Sequence, residues 1–239
     1  DMDAVGEQAR EFETRFRETI ARDDLSADHL RQAQDAYEAL LRAQYRPQAY
    51  AMLLFATNTQ DPERGALLQK TREFGSVIAT HLVFFDLEIG QIPTATYDAL
   101  ITAAVLEPYR HYLDHQRLLA AHNLSEPEEK ILVETATTRG QAFGRLFTET
   151  HGRAKYCLDR DGKRQELTQS ELLPLLYSPE RPLRRTAAQA LTKGLKRNAH
   201  ICTFIYNTLL HEKDVLDRLR HYQRPEAGRH LHNELSAEI

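Results

Sequence analysis

The sequence has no tryptophan, only two cysteines, and no apolar run that approaches the ~18 residues a membrane-spanning helix needs. Its first residues are acidic, where a secretory signal would be basic and then apolar. The two cysteines, Cys157 and Cys202, form no CxxC or other metal-ligand spacing, and we expect both to be free, buried thiols. These absences predict a cytoplasmic protein with no membrane partner.

The sequence also lacks the short motifs that carry common enzymatic chemistry. It contains no GxSxG, no phosphate-binding GxxxxGK[ST] and no GxGxxG. His211 and Glu212 match the first two letters of the zinc motif HExxH, but the fifth position is Val215. We therefore assign no catalytic, cofactor-binding or metal-binding residue to this chain and expect no cofactor in it.

The composition indicates a folded, mostly helical protein. Hydrophobic residues make up 41% of the 239 residues and charged residues 28%, with 10 glycines. A chain of this length can bury about 70% of the surface that its unfolded form exposes. The formal charge of −4 gives no global reason to bind nucleic acid, so no nucleic-acid partner is predicted.

Apolar residues at three- and four-residue spacing predict helices from Val5 to Ile20 and from Ser26 onward. Pro47 should end or kink the second helix, because proline lacks a backbone donor. Asp61 can cap the third helix, which Gly90 and Pro93 close. A further helix is predicted from Ala95 to His122, bent near Pro108, and these helices define a first region over residues 1–122.

Residues 123–239 are predicted to form a second helical region that contains the one β element. Ser125 and Glu128 form a capping box that should start a helix running to about Thr150. The Asp161-Gly162 step predicts a hairpin over about residues 153–168. A second capping box follows at Thr168 and Glu171.

The longest helical pattern runs from Ser178 to Tyr222, about 60 Å if it is unbroken. Either Gly194 or Asn198 bends this helix, or the helix once crossed a larger protein, and we favour the second interpretation. Leu231, Leu235 and Ile239 resemble a final amphipathic helix.

Several clusters are candidates for binding. His111 and His115 share one helical face and could chelate a metal ion, although Tyr112 stands where HExxH has its glutamate, and a solvated surface is the alternative. His230 and His232 would point apart on a helix. The basic cluster could contact phosphate or nucleic acid, but we interpret it mainly as a solvated helix face; its members are Arg181, Arg184, Arg185, Lys193, Lys196 and Arg197. The aromatic segment 81–89 is interpreted as buried core, with a contact surface as the alternative. Four tyrosines could line a peptide groove or lie at the edge of the core, and they are Tyr109, Tyr112, Tyr206 and Tyr222.

Taken together, modest motifs in a fixed order carry a resemblance over nearly the whole chain. They are Tyr50-Ala51-Met52-Leu53, Asn58-Thr59-Gln60-Asp61-Pro62, Phe84-Phe85-Asp86-Leu87-Glu88, Leu124-Ser125-Glu126-Pro127-Glu128-Glu129, Ala142-Phe143 with Leu146-Phe147, Leu167-Thr168 after the hairpin, Ser178-Pro179-Glu180-Arg181 with Arg184, and Leu219-Arg220-His221-Tyr222. In these segments the sequence resembles the N-terminal half of the oligoendopeptidase F branch of the thimet oligopeptidase-like zinc metallopeptidases.

The resemblance implies a multi-helical N-terminal lobe that faces a catalytic lobe across a channel for short, unstructured peptides. In that family HExxH and a downstream glutamate hold zinc, and the motif glutamate activates the bound water. Since none of those positions exists here, we expect zinc only in a catalytic half outside this sequence, and no hydrolysis by this chain alone. The expected partners are peptide substrates of the parent protein and its own catalytic lobe, with self-association through exposed apolar surface.

Two other hypotheses stay open. The chain could be a standalone helical scaffold or peptide-binding module without catalysis, which a reading frame that ends after Ile239 would favour. It could also be a metal-binding helical bundle that uses His111 and His115, which stoichiometric metal lost on His115→Ala would support.

Overall fold

The computed structural model describes residues 2–160 and 162–236. Within these ranges the protein is mostly helical, with long helices and one small antiparallel hairpin, which confirms the predicted fold class. The α-helices are α1 (Met2–Phe16), α2 (Ala27–Thr57), α3 (Pro62–Gln91), α4 (Thr94–Leu100), α5 (Arg110–Leu119), α6 (Glu126–Glu134), α7 (Gly140–Arg153), α8 (Gln169–Leu172), α9 (Arg181–Arg197), α10 (Ala199–Leu219) and α11 (Ala227–His232). None of the helices in these ranges is long and apolar enough to cross a membrane.

The described residues form two compact units, each assembled from separate stretches of the chain. Unit 1 contains the residues up to 53, residues 67–137 and those from 214 onward. Unit 2 contains residues 54–66 and 138–213. The sequence predicted two continuous regions that meet at residue 122, whereas these units are grouped by contacts between separate stretches. The predicted division therefore stays a prediction.

Unit 1 is organised around aromatic side chains from three helices. Phe12 of α1 lies 5.8 Å from Phe84 and 5.2 Å from Phe85 of α3, measured between ring centroids. Tyr37 of α2 adds a third ring, 4.9 Å from Phe85. All of these phenylalanines are buried, which confirms the core interpretation of segment 81–89. Burial of rings this large is the main stabilising contribution in unit 1.

Unit 2 has a smaller core, built where the hairpin packs against α9. Strands β1 (Tyr156–Arg160) and β2 (Lys163–Leu167) pair in antiparallel register, with Tyr156 opposite Leu167. Tyr156 and Leu158 point to the same face of the hairpin, since side chains alternate along a strand, and both are buried. The facing positions of α9 are small, and they are Ala187, Ala190 and Gly194.

The predicted turn and capping signals are confirmed. The hairpin forms where expected, and Gly162 has a φ of +73°, a conformation that glycine adopts at low cost; Asp161 lies outside the described residues. Asp61 Oδ1 accepts hydrogen bonds from the backbone N–H groups of Glu63 and Arg64. Glu128 and Glu171 accept from the backbone N–H groups of Ser125 and Thr168, at 2.9 and 2.7 Å. These contacts are local, so the sequence specifies them directly.

Pro47 neither ends α2 nor shortens it, contrary to one of the two predicted outcomes. The helix continues for ten residues beyond the proline, to Thr57. Leu40 and Ala51 are both buried in unit 1. They lie eleven residues apart, about three turns, so one face of α2 stays in the core across the proline. Tertiary packing of that face compensates for the missing backbone donor.

Two predicted helices are broken into shorter pieces. The helix expected from Ala95 to His122 ends at Leu100, and a 3-10 turn, Ala104–Tyr109, carries Pro108 before α5 begins. Ala103 is extended there, and this places Leu106 in the core with no exposed surface. The helix expected from Ser125 to Thr150 is interrupted by the 3-10 turn Thr135–Thr138, where β-branched threonines weaken helical preference.

The long helix predicted from Ser178 to Tyr222 is also divided, into α9 and α10, so an unbroken helix is wrong, while a passage through a larger protein stays a prediction. The break is at Asn198, the less favoured alternative, and not at Gly194, which lies inside α9. The Asn198 N–H bonds to the carbonyl of Leu195, three residues back, while the Asn198 carbonyl accepts from Cys202 N in the next helix. One residue therefore ends α9 and begins α10.

The final amphipathic helix is shorter than predicted. It ends at His232, because Glu234 takes a left-handed φ of 57° and Leu235 N bonds back to the His230 carbonyl. A left-handed residue with such a backward bond closes a helix. Leu235 is exposed, and Ile239 lies outside the described residues.

Candidate functional site

A network of charged side chains joins three helices of unit 1. Glu13 lies in the last turn of α1 and Arg17 follows directly after the end of that helix, while Glu126 and Lys130 lie one turn apart on α6. The Arg17 guanidinium donates to both oxygens of Glu126, at 2.8 and 2.9 Å, and also contacts Glu13. His81 Nδ1 of α3 lies 2.5 Å from Glu13 Oε2. Paired carboxylates and cations of this kind fix helices against one another and leave little charge uncompensated.

These pairings lower the pKa values of the Glu126 and Glu13 carboxyl groups. The hydrogen bond from Arg17 is the main reason that the pKa of Glu126 falls to about 2, with Lys130 adding to it. Burial raises the pKa of Glu13, but hydrogen bonds from His81 and Arg17 outweigh it and lower the pKa overall. Both groups are therefore carboxylates at neutral pH and cannot act as proton donors there.

An open cleft of about 670 Å³ borders this network. Its volume is in the range of sites that hold small ligands or parts of peptides. Besides Glu13, His81 and Lys130, its lining consists of Glu73, Ser76, Val77, Thr80, Glu134 and Thr137. The cleft thus offers several carboxylates and hydroxyls around an exposed valine, an arrangement that can bind polar or amine-bearing groups.

A second polar cluster lies deeper in unit 1. The hydroxyl groups of Tyr37 and Tyr112 both donate to the carboxylate of Asp86, the first at 3.3 Å. Burial raises the pKa of Asp86 although the two hydrogen bonds oppose it, and burial together with Asp86 raises the pKa of both tyrosines. The cluster ties α2, α3 and α5 together, and it exposes no nucleophile.

An ion pair joins the C-terminal part of unit 1 to α6. The guanidinium of Arg220 donates to both oxygens of Glu129, at 2.6 and 2.7 Å, and Glu129 is buried. Glu129 also accepts from Leu124 N, while His122 Nδ1 lies 2.8 Å from the Arg220 carbonyl. The His122 ring stacks on Tyr222 with centroids 4.0 Å apart. A polar cavity of about 290 Å³ lies beside this pair.

The histidines singled out in the sequence do not converge on one point. His111 is exposed, and its Nε2 lies 2.8 Å from Glu234. The ring of His115 instead faces His232, at 6.4 Å. His230 and His232 both lie on α11, where a helix directs them apart. In the described part of the chain, no three His, Cys, Asp or Glu side chains are grouped so that they could hold a metal ion.

The four candidate tyrosines have different local surroundings. Tyr109 donates to Asp35 and Glu38, and Tyr112 to Asp86. Tyr222 stacks on a histidine in unit 1, whereas Tyr206 is exposed on α10 in unit 2. Within unit 1, Tyr109, Tyr112 and Tyr222 thus have separate partners, and a peptide groove that these three share is not found among the described residues.

Both cysteines are free but only partly buried, a correction to the expectation of buried thiols. Cys157 Sγ lies 3.2 Å from an Arg164 nitrogen and 3.8 Å from one of Arg197. Hydrogen bonding to Arg164, and then to Arg197, lowers the pKa of the Cys157 thiol. Cys202 lies 3.7 Å from His151.

Comparisons with known proteins show which family and which folds this chain resembles. A family model for an N-terminal domain, described as oligopeptidase F, matches residues 88–156. The resemblance to the oligoendopeptidase F family is therefore confirmed. No curated protein matches the sequence.

Two crystal structures extend the similarity to the whole fold. Oligoendopeptidase-F from Enterococcus faecium matches over 98% of this chain with a TM-score of 0.84 and 19% identity. A putative peptidase from Chlamydophila abortus matches over 100% of this chain with a TM-score of 0.63 and 17% identity. The chain spans 46% and 41% of the lengths of these two proteins. At these identities the matches show a shared fold with oligoendopeptidase F.

Sequence reasoning missed the long-range ion pairs of unit 1. Glu129 and Arg220 are 91 residues apart, and nothing in either local segment indicates the pair. The network of Glu13, Arg17 and Glu126 is similarly long-range. Only the one-turn spacings, such as Glu126 to Lys130, could have been read from the sequence.

Proposed function

We propose that the chain is the N-terminal, non-catalytic portion of an oligoendopeptidase F-like zinc metalloendopeptidase. In this proposal it forms part of the wall of a channel that admits short peptides and excludes folded proteins. The observation that supports it is the match of 98% of this chain to only 46% of oligoendopeptidase-F from E. faecium. Hydrolysis is then the task of a catalytic lobe that the matched length does not include.

The residues of this chain do not fit a zinc site. The sequence contains no HExxH, and in the described ranges no set of three potential ligands is grouped for a metal. We therefore assign zinc binding and water activation to the catalytic lobe and no chemical step to this chain. Its contribution is to bind and position the peptide and to limit its size.

The cleft beside Glu13 is the surface of unit 1 that best suits contact with a peptide. The carboxylates of Glu73 and Glu134 can accept from an amine, and Val77 is 55% exposed at the same place. A second surface suits contact with the catalytic lobe. Phe204 and Leu210 of α10 are 63% and 53% exposed, more apolar surface than a solvated helix needs. Self-association through such surface, and a cytoplasmic location, belong to the same proposal.

A direct test starts from the coding sequence beyond the codon for Ile239. We expect it to continue in frame into a helix that bears HExxH and a later glutamate ligand. The complete product should then hydrolyse short quenched-fluorescence peptides, and a zinc chelator should abolish that activity. The 239-residue chain alone should show no turnover with or without added zinc.

Two outcomes would contradict the proposal. Chelator-sensitive hydrolysis by the purified 239-residue chain would show that it contains its own catalytic site. A reading frame that stops after Ile239 would instead leave a standalone peptide-binding or scaffold module, the second hypothesis from the sequence. Peptide binding without cleavage would then be the activity to measure.

A further inference from the structure

The two units carry opposite charge. The stretches that form unit 1 contain 16 Lys and Arg against 26 Asp and Glu, a formal charge of −10. The stretches that form unit 2 contain 15 against 9, a formal charge of +6. The net charge of −4 conceals this separation. A basic unit of this kind attracts anionic partners even though the whole chain is acidic.

Helix α9 concentrates the positive charge of unit 2. Its 17 residues include Arg181, Arg184, Arg185, Lys193, Lys196 and Arg197 and no acidic residue. Ala187, Ala190 and Gly194 form its buried stripe against the hairpin. Arg185 and Lys196 lie on the opposite side of the helix, about 150–170° around it from that stripe, and Lys193 lies between them and the stripe, about 90° from its centre. We call these three cations, with Gln189 and Thr192 between them, the α9 basic face.

The cations of the α9 basic face differ in their surroundings from the paired arginines of unit 1. Among the residues that the structure describes, no hydrogen bond or ion pair holds the side chains of Arg185, Lys193 or Lys196. Arginines elsewhere, such as Arg17 and Arg220, each meet a carboxylate at 2.9 Å or less. An external anion can therefore bind the cations of the α9 basic face without breaking an ion pair among the described residues.

The shape of the α9 basic face suits an extended chain. A shallow groove of about 490 Å³ runs along it, with Ala188 and Thr192 among its lining residues. The side chain of Gln189 offers a hydrogen-bond donor there, whereas the Thr192 hydroxyl already donates to the Ala188 carbonyl at 2.9 Å. Arg185 and Lys196 are eleven residues apart, so the groove is about 16 Å long. No aromatic residue of α9 offers a stacking platform, which disfavours single-stranded nucleic acid.

We propose that the α9 basic face binds acidic segments of extended peptides. Arg185 and Lys193 are separated by about 12 Å along the helix axis. Acidic side chains four residues apart in an extended peptide are separated by about 13 Å and point to the same side. Each carboxylate can therefore meet one cation, with Lys196 beside the second. Binding at α9 requires no catalytic lobe, so it goes beyond the proposed function and can be tested separately.

The test is fluorescence anisotropy of a labelled, unstructured peptide with glutamate at alternate positions, titrated with the 239-residue chain. The matched probe carries glutamine at the same positions. We expect the acidic peptide to bind about tenfold more tightly at about 50 mM salt and to lose that advantage at about 500 mM. The variant R185Q/K193Q/K196Q should weaken binding of the acidic peptide about tenfold and leave the glutamine peptide unchanged.

A second triple variant separates a site from a general charge effect. Arg10, Arg46 and Lys70 are exposed cations of unit 1, and R10Q/R46Q/K70Q removes the same total charge. It should change the affinity less than about twofold. Equal weakening by both triple variants would overturn the assignment. So would the absence of peptide binding, including the case in which only oligothymidylate or anionic vesicles bind.

Discussion

The two units achieve stability by different kinds of packing. Unit 1 surrounds Phe12, Phe84 and Phe85 with other large side chains, so its stability depends on buried apolar area. Unit 2 places the ring of Tyr156 directly against the backbone of α9 at Gly194, so its stability depends on close approach. We therefore expect mutations that remove buried side-chain atoms to destabilise unit 1 most, and mutations that add atoms to destabilise unit 2 most.

The largest expected effect is on the core of unit 1. Phe85 has no exposed surface and contacts three other aromatic rings. Phe85→Ala should lower the free energy of unfolding by about 3–5 kcal/mol, because it removes a ring and leaves a cavity. Urea denaturation followed by circular dichroism measures this loss. The control Phe204→Ala, at a side chain that is 63% exposed, should cost less than about 1 kcal/mol.

The next effect tests whether unit 1 also depends on a buried charge. Glu129→Ala leaves the Arg220 guanidinium without its carboxylate, and we expect a loss of about 2–3 kcal/mol, reduced because Arg220 is partly exposed. The exposed pair of Arg224 and Glu226 is the control, and Glu226→Ala should cost less than about 1 kcal/mol. If both variants lost a similar amount of unfolding free energy, burial of Glu129 would not increase the contribution of its ion pair to stability.

For unit 2 the sharpest test adds one methyl group. A Cβ at position 194 would lie 2.3 Å from Cδ1 of Tyr156. Gly194→Ala should therefore destabilise the protein by about 1–3 kcal/mol, despite the higher helix propensity of alanine.

Gly144 provides the matched control in α7, because no other described atom, apart from its chain neighbours and the backbone of its own helix, lies within 4 Å of a Cβ built there. Gly144→Ala should stabilise the protein by roughly 0.5–1 kcal/mol. If both glycine variants were stabilising, close backbone approach would not limit unit 2, and the contrast with unit 1 would fail.

The smallest effect is the pH dependence that Glu126 confers on unit 1. Its pKa is lowered from 4.5 to about 2, so the carboxylate stabilises the folded state above pH 4.5 and loses this contribution as the pH falls toward 2. Glu126→Gln should be less stable than the parent chain at neutral pH, and the difference should shrink as the pH is lowered below 4.5. Urea midpoints measured from pH 7 downward test this, and a constant difference would contradict it.

Local signals in the sequence predicted local structure well. The capping boxes at Ser125 and Thr168 and the hairpin around Gly162 all form as expected, because each depends on residues within three or four positions. The overall class was predictable for the same reason, since helical periodicity recurs along most of the chain.

Features decided by distant contacts were not predictable. Burial of Leu106 favours an extended residue and a 3-10 turn over one bent helix, and only the folded core supplies that reason. Asn198 was one of two candidates for a bend, and the other, Gly194, lies inside α9 where the ring of Tyr156 packs against it. The carboxylates around Arg17 come from positions up to 109 residues away, beyond any local pattern.

Unit 1 is built from separate stretches of the chain, so its parts are translated at different times. Glu129 is made long before Arg220, its partner 91 residues later. At typical synthesis rates of about 5–20 residues per second, the carboxylate waits roughly 5–20 s for its guanidinium, while all of the later part of unit 2 is translated. During that interval unit 1 lacks its C-terminal stretch, and Glu129 has no Arg220 to pair with. A factor that binds nascent chains could contact unit 1 at this position until Arg220 is translated.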